Sequence, residues 1–188
     1  MNHPWHDIEP GDPEEPIAFV EIPRGTKTKY ELDKKTGLMR VDRVLFASFV
    51  YPFNYGFIPQ TLAEDGDPVD VFLMGQELLP MTLVRIRPIG MLRMQDEGSS
   101  DNKVLAVPVN DPRFEDVADL QAVATHHLRE LEHFLSHYKD LERKQTVVTE
   151  WVGRTEAVRE VRDGLRSYRT RRRANEPAAH RDAERFAS

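Results

Sequence analysis

Short segments of β-forming residues, separated by Gly and Pro, follow one another between residues 17 and 109, and this pattern limits the folds open to the chain. The segments lie at residues 17–22, 29–32, 38–46, 69–74, 83–94 and 104–109. Residues 34–37, Lys-Lys-Thr-Gly, have the composition of a hairpin turn between two of these segments. Several short strands at such close spacing favour a small barrel or a sandwich.

Two helices are predicted after this β region. Apolar residues recur at helical spacing with mostly charged residues between them, and they are Leu128, Leu131, Phe134, Leu135 and Tyr138. We expect this amphipathic helix to end near Lys139. A second helix is predicted over residues 155–173, where Asn175 and Pro177 would end it, and we expect the last residues of the chain to fray.

These elements predict a mainly β protein with helices, of the α+β class. The length of 188 residues is enough for one domain with a sizeable core. We divide the chain into an irregular, Pro-rich lead-in at residues 1–16, a catalytic domain at residues 17–153, and a helical, Arg-rich extension at residues 154–188.

The composition is that of a soluble globular protein, with 39% hydrophobic and 31% charged residues. No apolar run approaches the roughly 18 residues that a membrane-spanning helix needs, and the acidic residues 1–16 do not resemble a signal peptide. The chain has no cysteine, which excludes disulfides and thiolate metal sites. We therefore expect a cytoplasmic protein without a membrane partner.

The charge is distributed unevenly along the chain. The net charge is −6, but residues 154–188 contain ten Arg against six Asp or Glu, which leaves −10 on the first 153 residues. A body this acidic repels a polyanion. A phosphate-binding site would therefore need metal ions and a local group of cations to reverse the field. We do not expect a nucleic-acid partner from the Arg-rich segment alone, because such a run usually forms a solvated helix end.

Three carboxylates, those of Asp65, Asp67 and Asp70, lie within six positions of the sequence. So much negative charge needs a positive partner, and divalent cations with oxygen ligands are the obvious candidates. Magnesium binds carboxylates and water, and commonly also the phosphate oxygens of a substrate. The segment therefore predicts a metal site that handles phosphate, although taken alone it is more often a solvated turn.

The chain also contains the other groups that cleavage of a phosphoanhydride requires. Such catalysis depends mainly on positioning and charge neutralisation, and metal ions lower the pKa of a water to give a hydroxide nucleophile. Further carboxylates, cations and hydroxyls available for this chemistry are Asp96, Glu97, Asp101, Lys29, Arg43, Lys103, Lys139, Tyr51, Tyr55 and Tyr138. Taken singly, each tyrosine also fits a core aromatic residue, and Lys139 also fits a cation at a helix C-terminus.

Six groups of residues resemble the motifs of the family I soluble inorganic pyrophosphatases. They are residues 21–23 with 29–31, 41–43, 51–56, 65–71, 96–103 and 137–142, in the family's order and at its spacings. The resemblance implies a five-stranded OB-like barrel with flanking helices, and hydrolysis of inorganic diphosphate to two orthophosphates. Residues 3–7 resemble the lead-in of plant-type members, whereas the segment after Arg154 departs from the compact bacterial pattern.

The resemblance further implies roles for individual residues. Asp65, Asp70 and Asp101 would ligate a first magnesium, with Asp70 bridging to a second, and Asp96 and Glu21 would serve further metal ions. The phosphates would be held by Lys29, Arg43, Tyr55, Lys103, Tyr138 and Lys139. Asp67 would orient or deprotonate the bridging water, with Asp101 as the alternative base, because several carboxylates in one site titrate as a group.

The resemblance also implies cofactors and assembly. Several magnesium ions per site are expected, with manganese or zinc as substitutes, and the number used in turnover is left open. A homo-oligomer is expected, since bacterial members are commonly hexamers. Plant members can be monomers, so the oligomeric state is left open as well.

Two alternative functions are compatible with parts of the sequence. A haloacid-dehalogenase-type phosphatase uses an Asp-x-Asp-x-Thr/Val motif, which residues 65–69 fit, but residues 60–64 before it form a poor strand. The alternating strand–helix pattern of that fold is also missing. An OB-fold nucleic-acid binder with a basic tail is the second alternative, and it leaves the acidic cluster unexplained because carboxylates repel a phosphate backbone.

Overall fold

The computed structural model describes residues 2–175 of the chain. The strands are β1 (Gly11–Asp12), β2 (Glu15–Ile22), β3 (Thr28–Leu32), β4 (Met39–Val44), β5 (Asn54–Phe57), β6 (Asp70–Leu73), β7 (Leu83–Asp96), β8 (Ser99–Ser100), β9 (Lys103–Pro108) and β10 (Thr146–Gly153). The helices are α1 (Thr125–His137) and α2 (Arg154–Asn175), with 3-10 turns at Pro112–Phe114, Leu120–Ala122 and Asp140–Glu142. No helix among these residues is both long and apolar enough to cross a membrane.

Five strands close into a hydrogen-bonded ring. Their order is β2, β5, β6, β9 and β7, and β7 pairs again with β2. All of these pairs are antiparallel except β6 with β9, which run parallel. The prediction of a mainly β protein built on a five-stranded OB-like barrel with flanking helices is therefore confirmed.

The remaining strands extend or flank this ring. Strand β10 pairs with β7 outside the ring, while β3 and β4 form a separate antiparallel hairpin. The hairpin turn predicted at residues 34–37 lies between β3 and β4, where Thr28 pairs with Val44 and Leu32 with Met39.

Four strands were not predicted from the sequence, namely the two-residue strands β1 and β8 and the longer strands β5 and β10. Strand β5 is only four residues long and contains Gly56, so it shows no alternation of polar and apolar residues. Gly56 is required there because a Cβ atom would lie 1.9 Å from the carbonyl oxygen of Phe19 on β2. Strand β10 carries a bulge between Val148 and Glu150, which interrupts its two-residue period.

Helix α1 covers one side of the barrel. Its predicted apolar stripe is confirmed, since Leu131, Phe134 and Leu135 are buried and pack with Phe72 of β6. Successive residues of a strand point to opposite faces, and accordingly Val71 belongs to the core on the other side of β6. The helix ends at His137, two residues before the predicted end.

Helix α2 covers that second side. It begins one residue before and ends two residues after the predicted range of 155–173. Its apolar residues Ala157, Val161 and Leu165 recur at every fourth position, and they are buried against the barrel in the same cluster as Val69. The expected fraying of the last residues falls outside the described part of the chain, and the division into three segments stays a prediction.

Gly164 allows α2 to approach the segment before β6. A Cβ atom at this position would lie 2.7 Å from Val69 Cγ2 and 3.2 Å from Thr61 Cβ, and the Leu62 amide donates a 3.0 Å hydrogen bond to the Gly164 carbonyl. The helix therefore packs directly on the segment that leads into Asp70.

We expect Gly164→Ala to destabilise the fold by about 1 kcal/mol. Overpacking of this contact costs roughly 1–3 kcal/mol, and the higher helix propensity of alanine returns about 1 kcal/mol. Urea denaturation measures the difference, with Ser167→Ala on the exposed side of the same helix as the control. A Gly164→Ala variant as stable as the control would contradict the close packing.

Candidate active site

A cavity of about 690 Å³ brings together most of the residues that the sequence singles out. Eleven of the twelve predicted site residues line it: Glu21, Lys29, Tyr55, Asp65, Asp67, Asp70, Asp96, Asp101, Lys103, Tyr138 and Lys139. Parallel pairing of β6 and β9 explains part of this convergence, because Asp70 and Lys103 are the first residues of their strands and pair in register. Asp96 ends β7, which runs antiparallel to β9.

Lys103 lies in the middle of the carboxylates. Its ammonium group forms ion pairs with both Asp70 and Asp101, and only 5% of its side chain is exposed. Burial alone would lower the pKa of Lys103, but the two carboxylates outweigh it and raise the pKa. Lys103 therefore stays charged, and it partly neutralises two of the predicted metal ligands.

Three other carboxylates of the cavity, those of Asp96, Asp67 and Glu31, are also paired with ammonium groups. Lys139 pairs with Asp96, and Lys34 pairs with Asp67. Lys29 lies 2.6 Å from Glu31. Carboxylates and ammonium groups thus alternate around one cavity, which lets it accept both anionic and cationic groups of a ligand.

Two tyrosines combine packing with a place in the cavity. The ring of Tyr55 packs 4.9 Å from that of Phe72, and the ring of Tyr138 packs 4.9 Å from that of Phe134, between centroids. Burial raises the pKa of both hydroxyls. Both therefore remain neutral hydrogen-bond donors at ordinary pH. Each tyrosine can thus pack in the core with its ring and bind a ligand with its hydroxyl.

Glu21 is the most buried carboxylate of the predicted set. Its side chain accepts a 2.7 Å hydrogen bond from the Leu32 amide, and the residue is 8% exposed. Burial raises the pKa of Glu21 to about 8, against the lowering effect of that hydrogen bond, and the nearby Asp70 raises it further. Burial likewise is the main cause that raises the pKa of Asp70.

Arg43 is the predicted site residue that the structure does not place in the cavity wall. Its Nε atom donates a 2.9 Å hydrogen bond to Glu142 Oε1, and a second ion pair joins it to Asp42. This arrangement links the β3–β4 hairpin to the turn after α1. The phosphate-binding role of Arg43 stays a prediction.

The structure adds cavity residues that sequence reasoning missed. Lys34 from the hairpin turn contacts Asp67, and Trp5 from the lead-in lines the same wall. Arg40 and Glu31, which lie 3.1 Å apart, also line the cavity. Charged residues are usual in any solvated turn. Apart from its positive charge, nothing in the sequence therefore indicated that Lys34 lies at the site.

The donor atoms of the cavity fit an oxygen-ligated divalent cation. Within residues 2–175, no three His, Asp or Glu side chains are already arranged to enclose an ion, since ammonium groups pair with the carboxylates. Asp96 Oδ1, however, is buried without a hydrogen-bond partner among these residues. A buried acceptor of this kind needs a partner, and carboxylate oxygens are the ligands that magnesium prefers.

Comparisons with known proteins identify the family to which this chain is similar. The family model described as Inorganic pyrophosphatase matches residues 18–169. Soluble inorganic pyrophosphatase 2 of Chlamydomonas reinhardtii is 47% identical over 170 residues, which cover 89% of this chain and 88% of that protein. Soluble inorganic pyrophosphatase of Oryza sativa subsp. indica is 46% identical over 169 residues, covering 88% of this chain and 79% of that protein.

A solved structure gives the same result at the level of the fold. The crystal structure of inorganic pyrophosphatase from Thermus thermophilus superposes with a TM-score of 0.87 at 39% identity, covering 89% of this chain and 99% of that one. The family predicted from the six motifs is thereby confirmed. The chain belongs to the family I soluble inorganic pyrophosphatases.

Proposed function

We propose that this inorganic diphosphatase hydrolyses diphosphate in the 690 Å³ cavity, with magnesium ions held by the cavity's carboxylates. The observation that carries the proposal is the alternation of carboxylate and ammonium groups around one cavity. A diphosphate–metal complex presents both signs of charge. It can therefore exchange partners with the existing ion pairs, the phosphate oxygens taking the ammonium groups and the cations taking the carboxylates.

The cationic and hydroxyl groups bind and orient the substrate in this proposal. Lys29, Lys103 and Lys139 contact phosphate oxygens, and the neutral hydroxyls of Tyr55 and Tyr138 donate hydrogen bonds to them. These side chains project from four different parts of the fold, β3, β5, β9 and the end of α1. Their positions are set by the β3–β4 hairpin, the closed barrel and α1, so that little reorganisation is needed when substrate binds.

The carboxylates bind the metal ions in this proposal. Asp65, Asp70 and Asp101 would hold a first ion, Asp70 would also contact a second, and Asp96 and Glu21 would serve further ions. When bound, such ions neutralise phosphate charge and lower the pKa of a water from 15.7 towards neutrality. Manganese and zinc accept the same oxygen donors, and we expect them to substitute at least in part.

Asp67 orients the attacking water or accepts its proton in this proposal. Its carboxylate is half-exposed and pairs with Lys34, outside the buried pair of Asp70 and Lys103. A group that remains accessible within the cavity can receive a proton and pass it to solvent. Asp101 is the alternative, and it is the less accessible of the two, with 16% of its side chain exposed.

Orthophosphate release from diphosphate tests the proposed function. Purified protein is assayed with magnesium, with manganese, and with EDTA. Fast release that requires the divalent cation is the expected result. Absence of release with either metal would overturn the proposal, and release undiminished by EDTA would overturn its metal-dependent part.

We expect Asp67→Asn to lower turnover about 10²–10⁴-fold, as loss of a general base does. Steady-state kinetics at saturating magnesium measure the change, and circular dichroism checks the fold. The corresponding Asp101→Asn variant is the comparison. A small loss in Asp67→Asn beside a large one in Asp101→Asn would transfer the role of base to Asp101.

The alternative functions are less consistent with the fold. A closed barrel replaces the alternating strands and helices of a dehalogenase-type phosphatase, and Asp65 lies in a loop rather than at the end of a strand. A nucleic-acid binder gives no reason for the six predicted carboxylates in one cavity. A homo-oligomer, with a hexamer favoured, and a cytoplasmic location remain predictions.

A further inference from the structure

The lead-in before β1 is attached to the segment that leads into residues 65–70, which form the catalytic loop of the proposed site. The Trp5 indole N–H donates a 2.9 Å hydrogen bond to the Thr61 carbonyl, and the Gln60 amide donates a 2.8 Å hydrogen bond to the Trp5 carbonyl. The Gln60 side chain also donates to the Ile8 carbonyl at 3.1 Å. Three hydrogen bonds therefore fix residues 5–8 against residues 60 and 61.

Thr61 connects the lead-in to the catalytic loop. It is fully buried, and its hydroxyl accepts a 2.8 Å hydrogen bond from the Val69 amide while donating to the Ile58 carbonyl at 2.6 Å. Val69 directly precedes Asp70. A displacement of Thr61 would therefore move the backbone on which the acidic residues 65–70 are held.

The same lead-in contacts the turn of the β3–β4 hairpin. His3 Nε2 lies 3.2 Å from the Lys34 carbonyl oxygen, and the Lys34 ammonium lies 5.8 Å from the centre of the Trp5 ring. That distance is within the range of a cation–π contact. The same ammonium pairs with Asp67, so Trp5 touches both the loop segment and the cation that faces it.

The lead-in also packs against α2. His6 Nδ1 lies 2.8 Å from the Tyr168 hydroxyl oxygen, and Trp5 packs with Tyr168, Phe19 and Phe57 in one buried cluster. Trp5 is 7% exposed although it lines the cavity. The indole is therefore rigidly placed, which is the property that a positioning residue needs.

We propose that Trp5 is a positioning residue of the active site. It holds the catalytic loop in place through its hydrogen bond to Thr61, and it holds the Lys34 ammonium group next to Asp67. The inference rests on the proposed diphosphate hydrolysis. Trp5 contributes no group to the chemistry. It acts by keeping Asp67 and Lys34 in one arrangement, and a small displacement of reacting groups is costly in rate.

The test compares four variants: Trp5→Phe, Lys34→Met, the double variant, and Trp151→Phe as control. Trp5→Phe keeps an aromatic ring and removes the N–H group that reaches Thr61. Trp151 is the other of the two tryptophans, and its indole nitrogen is buried without a hydrogen-bond partner among the described residues. Trp151→Phe therefore makes the same chemical change where no such bond is lost.

We expect Trp5→Phe to lower kcat for diphosphate about three- to tenfold, as loss of one hydrogen bond does, with KM within about twofold. Trp151→Phe should leave both constants unchanged. Lys34→Met should lower kcat roughly tenfold, and the double variant should lose little more than Lys34→Met alone, because contacting residues in one network are not additive. If Trp5 had only a structural role, the losses in kcat of the two single variants would multiply in the double variant. That result, or an unchanged kcat in Trp5→Phe, would overturn the inference.

Amide hydrogen exchange provides a readout that does not need turnover. Trp5→Phe should speed exchange in residues 60–69, and Trp151→Phe should not. If the unaltered protein releases no orthophosphate, the proposed function fails, and exchange alone then decides on the anchoring. Faster exchange confined to residues 60–69 would support it, whereas unchanged exchange there would overturn it.

Discussion

Asp70→Asn should leave the barrel folded while turnover of diphosphate falls by about a thousandfold or more. Asparagine has the same shape as aspartate and keeps one oxygen that can accept a hydrogen bond from Lys103. The Asp70 backbone lies in β6, between β5 and β9, and does not depend on the carboxylate charge. The substitution therefore removes one negative charge from the cavity and little else.

The loss should follow from weaker cation binding as well as from weaker catalysis. In the proposed site Asp70 is shared between two metal ions, so removal of its charge affects both. Isothermal titration with magnesium measures the first effect, and steady-state kinetics measure the second. Asp163→Asn, on the exposed face of α2, is the control for an Asp-to-Asn change outside the cavity. Near-normal turnover in Asp70→Asn would rule out Asp70 as the bridging ligand.

Much of this site follows from the sequence because its residues belong to local motifs. Asp65, Asp67 and Asp70 are neighbours in the chain, and Tyr138 and Lys139 follow directly on α1. The apolar stripe of α1 and the hairpin turn at residues 34–37 are likewise local patterns. In each case the spacing along the chain already determines which side chains lie near one another.

The rest depends on contacts between distant segments. Lys34 reaches Asp67 across 33 positions, and Trp5 reaches Thr61 across 56. Nothing in a hairpin turn or in a Pro-rich lead-in indicates which loop it will meet, because closure of the barrel brings these parts together. For Arg43 the prediction from the sequence and the structure differ in the opposite way. It was predicted at the site, but among the described residues its side chain pairs with Glu142 and does not line the cavity wall.

Lys103→Met should have the second large effect, and it should appear in stability as well as in activity. Lys103 is the shared partner of Asp70 and Asp101, of whose side chains 20% and 16% are exposed. Removal of one member of a buried ion pair leaves uncompensated charge and costs about 3 kcal/mol or more. Methionine keeps the length of the side chain, so the loss reflects charge rather than an empty space.

The destabilisation should depend on pH in a defined direction when measured in EDTA. Burial already raises the pKa of Asp70 in the folded protein, and Lys103 opposes that rise. Without the ammonium group the pKa of Asp70 rises further above its unfolded value. A carboxyl whose folded pKa is raised favours the folded state at low pH, and this stability is lost as the pH rises through the folded pKa. The deficit of Lys103→Met should therefore be larger at pH 8 than at pH 5.

Urea denaturation of both proteins at the two pH values measures this deficit, and an exposed ion pair provides the control. Lys144 pairs with Glu97 at 3.0 Å, with 45% and 58% of the two side chains exposed, so Lys144→Met should destabilise the fold much less than Lys103→Met at either pH. Magnesium should then restore part of the stability of Lys103→Met, because a cation that binds only the folded state stabilises it. Equal losses in the two variants would show that the charge of Lys103 is not what holds Asp70 and Asp101 together.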